Sequence, residues 1–154
     1  MGYVEDLRRI VGHRPLILVG AVVMIENRNG EILLQQRKFP KDVWGLPGGL
    51  MELGESTEEA AKREVFEETQ LQVHDLELMD VYSGADFFVE AQNGDEYFTV
   101  TTAYATSSYT GFLRADPEES TQCSFVDPKV LPVNMVGSHR LMIEEYVKKK
   151  HQMN

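Results

Sequence analysis

The stretch that decides the fold covers residues 44–71 and reads WGLPGGLMELGESTEEAAKREVFEETQL. It opens with a glycine-rich loop and continues into a segment that is typical of a helix. Ser56 is a favoured N-cap residue, and Glu59 stands three positions later, where a glutamate completes a capping box. We therefore predict a helix that begins after Ser56 and ends near Thr69.

Three glutamates share one face of this predicted helix. Glu64, Glu67 and Glu68 stand at positions i, i+3 and i+4, which places their Cβ atoms about 5–6 Å apart. Taken alone, such a run of like charges is more typical of a solvated helix face. The alternative is a site for a hard divalent cation, Mg²⁺ or Mn²⁺, which prefers carboxylate oxygens. The glycines of the preceding loop favour the cation site, because backbone without a Cβ atom can approach a ligand closely.

Residues 49–71 resemble the Nudix box, whose pattern is G-x5-E-x7-R-E-U-x-E-E-x-G-U, with U a bulky aliphatic residue. The matching residues are Gly49, Glu55, Arg63, Glu64, Val65, Glu67, Glu68 and Leu71. The loop at residues 44–49 is also typical of that family. The resemblance implies an α/β fold of the Nudix type, an α/β/α sandwich with a mixed central sheet and a helix that carries the glutamate cluster.

The same resemblance implies a role for each matching side chain. Glu67 and Glu68 correspond to glutamates that bind divalent cations, and Glu64 corresponds to one that binds metal or acts as general base. Glu55 corresponds to a glutamate that supports the metal site. The backbone carbonyl of Gly48 or Gly49 corresponds to one that often joins the coordination shell of the metal. Arg63 corresponds to an arginine that orients the glutamates through salt bridges.

One position departs from the family pattern. Gln70 stands where the family has a glycine, at the point where the helix ends and φ is often positive. A residue with a Cβ atom in that conformation costs about 1 kcal/mol of stability. We expect a small loss of stability and no effect on the chemistry.

Outward from the box, the sequence predicts strands and two further helices. A short amphipathic helix opens the chain, with Val4, Leu7 and Ile10 on one face. A tight turn at Asn29-Gly30 predicts that the flanking strands form a hairpin. A second turn is expected at Asn93-Gly94. The predicted strands cover residues 16–25, 31–37, 71–82, 86–106 and 122–126, and the closing helix covers residues 136–149.

Composition limits the class of protein. The 154 residues are enough for a single domain, residues 1–154, with a core that needs no disulfide. The lone cysteine favours a cytoplasmic location, and no apolar run is long enough to span a membrane. The net charge of −10 repels long nucleic acids. We expect a small nucleotide substrate, and a homodimer is compatible with the sequence.

The expected reaction is attack by water on a phosphorus of a diphosphate bridge. Beside Glu64, the loop at residues 116–120 offers Glu119 or Glu118 as an additional catalytic carboxylate, although an acidic surface loop explains both equally well. Arg37 and Gly48 are the predicted substrate contacts, and Arg63 is the predicted organiser of the catalytic carboxylates. The aromatic residues around Asn93-Gly94 are more typical of packing on the sheet or a dimer contact, and a nucleobase pocket is the less favoured alternative.

These features favour a Mg²⁺-dependent nucleoside triphosphate pyrophosphatase or a broad-specificity housekeeping hydrolase. Markers of relatives that cleave ADP-ribose, dinucleoside polyphosphates, NADH or coenzyme A are absent from the sequence. An ADP-ribose or sugar-nucleotide pyrophosphatase is the alternative within the family. A Nudix module that senses a nucleotide without cleaving it is the alternative of another class, and such modules typically lose box glutamates that this chain retains.

Overall fold

A computed structural model of the chain describes residues 2–153. The helices are α1 (Tyr3–Val11), α2 (Thr57–Thr69) and α3 (Gly137–Met153), with a 3-10 turn at Ala85–Phe87. The strands are β1 (Leu16–Ile25), β2 (Ile32–Arg37), β3 (Trp44–Gly45), β4 (Gly48–Leu50), β5 (Gln72–His74), β6 (Glu77–Tyr82), β7 (Phe88–Glu90), β8 (Glu96–Thr106), β9 (Ser108–Thr110) and β10 (Ser120–Val126).

The largest sheet is mixed and has the strand order β4-β1-β8-β6, with β7 also paired to β8. β1 and β8 run parallel over the whole length of β1, and the other pairs in this sheet are antiparallel. A second sheet has the order β10-β2-β3, and a third pairs β5 with β9. The mixed sheet between helices agrees with the predicted α/β/α sandwich.

β1 is covered on both faces over its second half, residues 20–25, which agrees with the continuous apolar sequence there. Val23 and Ile25 pack with Val65 of α2, whereas Met24 packs in a second cluster with Ile143 of α3. Alternate side chains of a strand point to opposite faces, so a single strand supplies both layers of the core. This arrangement fixes α2 against the sheet.

The predicted hairpin between β1 and β2 is wrong. The turn itself forms, and the N–H of Gly30 donates to the carbonyl of Asn27 at 3.1 Å. The pairing stops at one bridge between Glu26 and Ile32, however, and β2 joins β10 and β3 in the second sheet. β2 cannot extend its pairing with β1, because β8 and β4 occupy the two edges of β1.

Two smaller predictions also need correction. The predicted strand at residues 71–82 is two strands, β5 and β6, which lie in different sheets. The predicted apolar face of α1 does not include Ile10 as a packed residue, because 83% of the surface of Ile10 is exposed. The turn at Asn93-Gly94 is confirmed, since it connects β7 to β8, and α3 extends the predicted closing helix to Met153.

Candidate active site

The glycine-rich loop is held tightly between β1 and α2. A Cβ atom on Gly48 would lie 2.2 Å from the carbonyl oxygen of Ala21, and one on Gly49 would lie 2.4 Å from Cδ of Glu64. Both distances are far below van der Waals contact; at Gly48 the neighbour is backbone, so glycine is needed there, whereas at Gly49 a Cβ atom would displace the Glu64 carboxylate. The second contact brings the Glu64 carboxylate directly against the loop backbone.

Arg63, in the middle of α2, is the centre of an ion-pair network. Its guanidinium donates to both carboxylate oxygens of Glu55, at 2.6 and 2.9 Å, and to Oε1 of Glu64 at 2.9 Å. It also donates to the carbonyl of Leu50 at 3.1 Å and lies 3.4 Å from Oε2 of Glu67. Arg63 thus contacts three of the box glutamates, and its role as organiser of catalytic carboxylates stays a prediction.

The three glutamates around Arg63 differ in their pKa shifts and in their exposure. The hydrogen bond from Arg63 holds the pKa of Glu55 below its usual range. Glu64 has a raised pKa because burial outweighs its contact with Arg63. Glu67 projects outward, with 55% of its side chain exposed.

Glu68 lies at the other end of this group and has no cationic partner among the described residues. It is buried, with 6% of its surface exposed. One carboxylate oxygen accepts the N–H of Gly48 at 2.8 Å, and the other accepts Nε2 of Gln35 at 2.9 Å. Burial raises the pKa of Glu68 to about 8 in spite of these two hydrogen bonds. Repulsion from the charges of Glu64 and Glu119 acts in the same direction.

The loop that carries Glu119 is fastened to the end of α2. The N–H groups of Arg114 and Asp116 donate to the carbonyls of Thr69 and Glu68, at 2.9 and 3.2 Å. These carbonyls have no partner within the helix, so the loop satisfies them. The loop thereby brings Glu118 and Glu119 to a cleft of about 280 Å³, the carboxylate cleft, whose other lining residues are Gln35, Arg37, Phe39 and Glu68.

A second cleft of about 390 Å³ lies on the other side of Arg37. We call it the aromatic cleft, because Phe87, Phe88 and Tyr97 line one part of it. Gly48, Gly49 and Leu50 line another part, together with Arg37 and the start of α3 at Gly137, Ser138 and His139. Arg37 lines both clefts, so its positive charge stands between the carboxylates and the aromatic rings.

The chemistry of these residues fits a divalent cation. Gln35 donates its amide nitrogen to Glu68, which leaves its Oε1 atom fully buried without a hydrogen-bond partner among the described residues. A buried acceptor beside a carboxylate with a raised pKa is an environment that a cation would stabilise. In residues 2–153, however, no three acidic, histidine or cysteine side chains already converge as a ligand set. Glu67 in particular is directed to Arg63.

Two residues of the site were missed in the sequence. Gln35 is one residue of an apolar strand, and nothing in the sequence places it beside Glu68, which is 33 positions away. His139 was assigned no role because it lacks ligand spacing, yet it is buried and lines the aromatic cleft. Both become visible only when β2 and α3 are packed around the glycine-rich loop.

A family model described as the NUDIX domain matches residues 16–146. The chain belongs to the Nudix family. Similar proteins include a putative 8-oxo-dGTP diphosphatase from Bacillus subtilis (strain 168), 34% identical over 127 residues, which are 82% of this chain and 78% of that protein. An ADP-ribose pyrophosphatase from Methanocaldococcus jannaschii is 29% identical over 138 residues, 89% of this chain and 76% of that protein.

A solved structure leads to the same family. The MutT NUDIX hydrolase from Burkholderia pseudomallei superposes with a TM-score of 0.72 and 28% identity, over 84% of this chain and 97% of that one. The protein is therefore a Nudix hydrolase that cleaves a diphosphate bond in a nucleoside diphosphate linked to another moiety, and Nudix hydrolases generally use divalent metal ions. No helix in residues 2–153 is both long enough and apolar enough to cross a membrane.

Proposed function

We propose that this Nudix hydrolase is a Mg²⁺-dependent nucleoside triphosphate pyrophosphatase whose reaction takes place where the carboxylate cleft meets the aromatic cleft. The observation that carries the proposal is the Glu68 carboxylate, which is buried beside two other carboxylates with only neutral hydrogen-bond donors. A structural glutamate would be expected to pair with a cation, as Glu55 pairs with Arg63. The Glu68 carboxyl group has no cationic partner in residues 2–153, and an added cation would stabilise its ionised form.

The proposed metal ligands are the side chains of Glu64, Glu67 and Glu68, with the carbonyl of Gly49, and Glu55 supports them through Arg63. Oxygen-only ligands suit Mg²⁺, with Mn²⁺ as the alternative. When bound, the cation supplies positive charge that neutralises the diphosphate and stabilises the departing phosphate. Arg63 keeps Glu64 in place through its 2.9 Å hydrogen bond.

The chain's own carboxylates would remove the proton from the attacking water. Glu64, Glu118 and Glu119 are the proposed general bases. A base works best when its pKa approaches the operating pH, and burial raises the pKa of Glu64 in that direction. The oxygen of water forms a new bond to phosphorus, the bridging P–O bond breaks, and the bridging oxygen leaves with the second phosphoryl group.

Arg37 and Gly48 are the proposed substrate contacts. The guanidinium of Arg37 lies between the two clefts, where it can bind a phosphate oxygen while the nucleoside extends into the aromatic cleft. The rings of Phe87, Phe88 and Tyr97 offer apolar surface to a nucleobase. The Bacillus subtilis relative is named a putative 8-oxo-dGTP diphosphatase, so ordinary and oxidised guanine nucleotides are the first substrates to test.

The cytoplasmic location and the homodimer remain predictions. Neither is needed for the chemistry, because every proposed ligand and base belongs to one chain. Gel filtration with light scattering would measure the oligomeric state directly.

The test is a substrate panel with Mg²⁺ and with Mn²⁺. It contains the common nucleoside triphosphates, 8-oxo-dGTP, ADP-ribose, NADH, a sugar nucleotide and diadenosine tetraphosphate. We expect the highest kcat/KM for a triphosphate, with a nucleoside monophosphate and pyrophosphate as products. A higher value for ADP-ribose would favour the activity named for the Methanocaldococcus jannaschii relative. Binding without turnover across the panel would contradict catalysis and favour a nucleotide sensor.

A further inference from the structure

His139 reaches the aromatic cleft from the first turns of α3 and contacts the glycine-rich loop with one ring nitrogen. Its Nδ1 atom accepts the backbone N–H of Leu46 at 3.0 Å. A Cβ atom on Gly45 would lie 3.1 Å from the same nitrogen, so Nδ1 faces the backbone of the loop. This edge of the ring therefore has a structural role.

The hydrogen bond to Leu46 determines the tautomer of the ring. Burial, followed by the positive charge of Arg37, lowers the pKa of His139 to about 3, so the imidazole is neutral at physiological pH. A neutral imidazole has one N–H group. Because Nδ1 accepts a hydrogen bond, the proton lies on Nε2, which is a hydrogen-bond donor.

The Nε2–H donor faces the aromatic cleft and is not fully buried in the core. His139 is buried, with 8% of its surface exposed, and it is among the residues that line the aromatic cleft. In residues 2–153, the fully buried side-chain polar atoms without a partner are Nε of Arg8 and Oε1 of Gln35. Nε2 of His139 makes no hydrogen bond within these residues and is not one of the fully buried atoms. It therefore keeps some exposed surface, and the aromatic cleft is the cavity that His139 lines.

We propose that the Nε2–H group of His139 is a substrate-binding donor that holds an acceptor oxygen of the nucleotide in the aromatic cleft. This inference rests on the proposed function for the identity of the ligand and adds a specific contact to it. A ligand that enters the cleft without an acceptor oxygen would cover this donor and leave it unpaired, which makes the contact selective for ligands that supply one.

The acceptor has two chemical sources, a carbonyl oxygen of the base or an oxygen of the phosphates. Arg37 lines the same cleft and is the natural partner of a phosphate. A base carbonyl is distinguished from a phosphate oxygen by comparing nucleotides that differ at one position of the purine. GTP and ITP carry an oxygen at C6, whereas ATP carries an amino group there.

Two variants separate the donor from the structural hydrogen bond. His139→Asn keeps an acceptor near the position of Nδ1 and removes the donor. His139→Gln places an amide N–H near the position of Nε2 and gives up the acceptor to Leu46. We expect His139→Asn to raise KM about 5- to 10-fold with a smaller change in kcat, the range for one lost hydrogen bond. His139→Gln should recover most of that loss in KM although its thermal midpoint falls.

A matched control is His74→Asn, since His74 is exposed on β5 and lies outside both clefts. Its KM and thermal midpoint should equal those of the wild type. A rise in KM confined to GTP and ITP assigns the contact to the base carbonyl. An equal rise for GTP, ITP and ATP assigns it to a phosphate oxygen. An unchanged KM for all three in His139→Asn would overturn the proposal.

A spectroscopic measurement tests the donor without turnover. In a ¹H–¹⁵N spectrum of the imidazole groups of metal-free protein, His139 should show the neutral Nε2–H tautomer. Addition of GTP in EDTA should shift the Nε2 signal more than the Nδ1 signal. The Nδ1–H tautomer, or an Nε2 signal that GTP leaves unchanged, would contradict the inference. Failure of the proposed function is seen separately, as a wild-type protein that hydrolyses no nucleoside triphosphate.

Discussion

Glu55 precedes α2 and Glu68 lies near its end, and the comparison of these two glutamates explains the design of the site. Glu55 shares two hydrogen bonds with the guanidinium of Arg63, whereas Glu68 receives only neutral donors from Gly48 and Gln35. Their pKa values move in opposite directions as a result. One end of the box is neutralised within the chain, whereas the carboxyl group at the other end has no cationic partner and a raised pKa, so an added cation would favour its ionisation.

The largest effect that would break this comparison is expected from Glu68→Gln. Turnover should fall at least about 100-fold because a ligand of the proposed cation is lost, a cost typical of removing one electrostatic contact to the transition state. The thermal midpoint in EDTA should not fall at pH 8, where part of the buried wild-type carboxyl group is ionised, because the variant removes that charge and keeps the volume. Steady-state kinetics and thermal unfolding measure both.

The control for that variant is Glu67→Gln, at an exposed position of the same helix face. It should also lower metal-dependent turnover, and its stability should change little because the side chain is 55% exposed. Normal turnover in both variants would remove the proposed cation site. Normal turnover in Glu67→Gln alone would restrict the ligand set to Glu64 and Glu68.

Arg63→Ala tests the neutralised end. It should lower the free energy of unfolding by about 2 kcal/mol, because Glu55 and Glu64 lose a charged partner in a partly buried position. Lys149→Ala is the control, since Lys149 forms an exposed salt bridge with Asp80 and should change stability by less than about 0.5 kcal/mol. Urea unfolding compares the two. Equal effects would mean that the network around Arg63 contributes no more than a surface pair.

The pH dependence of stability sharpens the comparison further. Glu68 has a folded pKa of about 8, above its ordinary value of 4.5. Its contribution to stability is therefore full below pH 4.5 and declines as the pH rises toward 8, because the folded state retains the proton longer. Glu55 has a lowered pKa, so its contribution has the opposite sign and is lost as the pH falls.

Thermal unfolding from pH 5 to pH 8 in EDTA measures the effect of Glu68. We expect wild-type stability to contain a declining component that Glu68→Gln lacks. Mg²⁺ should therefore raise the thermal midpoint more at pH 8 than at pH 6, because it binds the ionised carboxylate. Identical pH profiles for the wild type and Glu68→Gln would contradict the raised pKa.

The smallest expected effect is at the helix end. Gln70 has φ 66° in the left-handed region, as its place in the box predicted. Gln70→Gly should raise the free energy of unfolding by up to about 1 kcal/mol, because glycine adopts this conformation without a Cβ clash. Gln72→Gly is the control on the extended strand β5, where glycine should lower stability. Urea unfolding measures the free energy of unfolding of both variants. A loss of stability in Gln70→Gly would show that the hydrogen bond from the Gln70 side chain to the Phe66 carbonyl outweighs the backbone strain.

The local features of the box could be predicted because they depend on residues a few positions apart. The capping box at Ser56 and Glu59 forms as expected, and so does the left-handed helix end at Gln70. Their hydrogen bonds close within one turn of helix, so the sequence contains both partners. The prediction of a hairpin between β1 and β2 was wrong for the opposite reason. The turn depends on local residues, but the strands that pair with β1 are distant in the sequence, and the turn does not determine them.

The site divides in the same way. The sequence by itself determined the family and the order of the glutamates on α2, and it placed Arg63 one and four residues from Glu64 and Glu67, since one helix contains these residues. Only the tertiary structure decided which glutamate is buried without a cationic partner, because Gln35 and Gly48 reach Glu68 from other strands. The tautomer of His139 was likewise set by packing, since the Leu46 N–H that fixes it is 93 positions away in the chain.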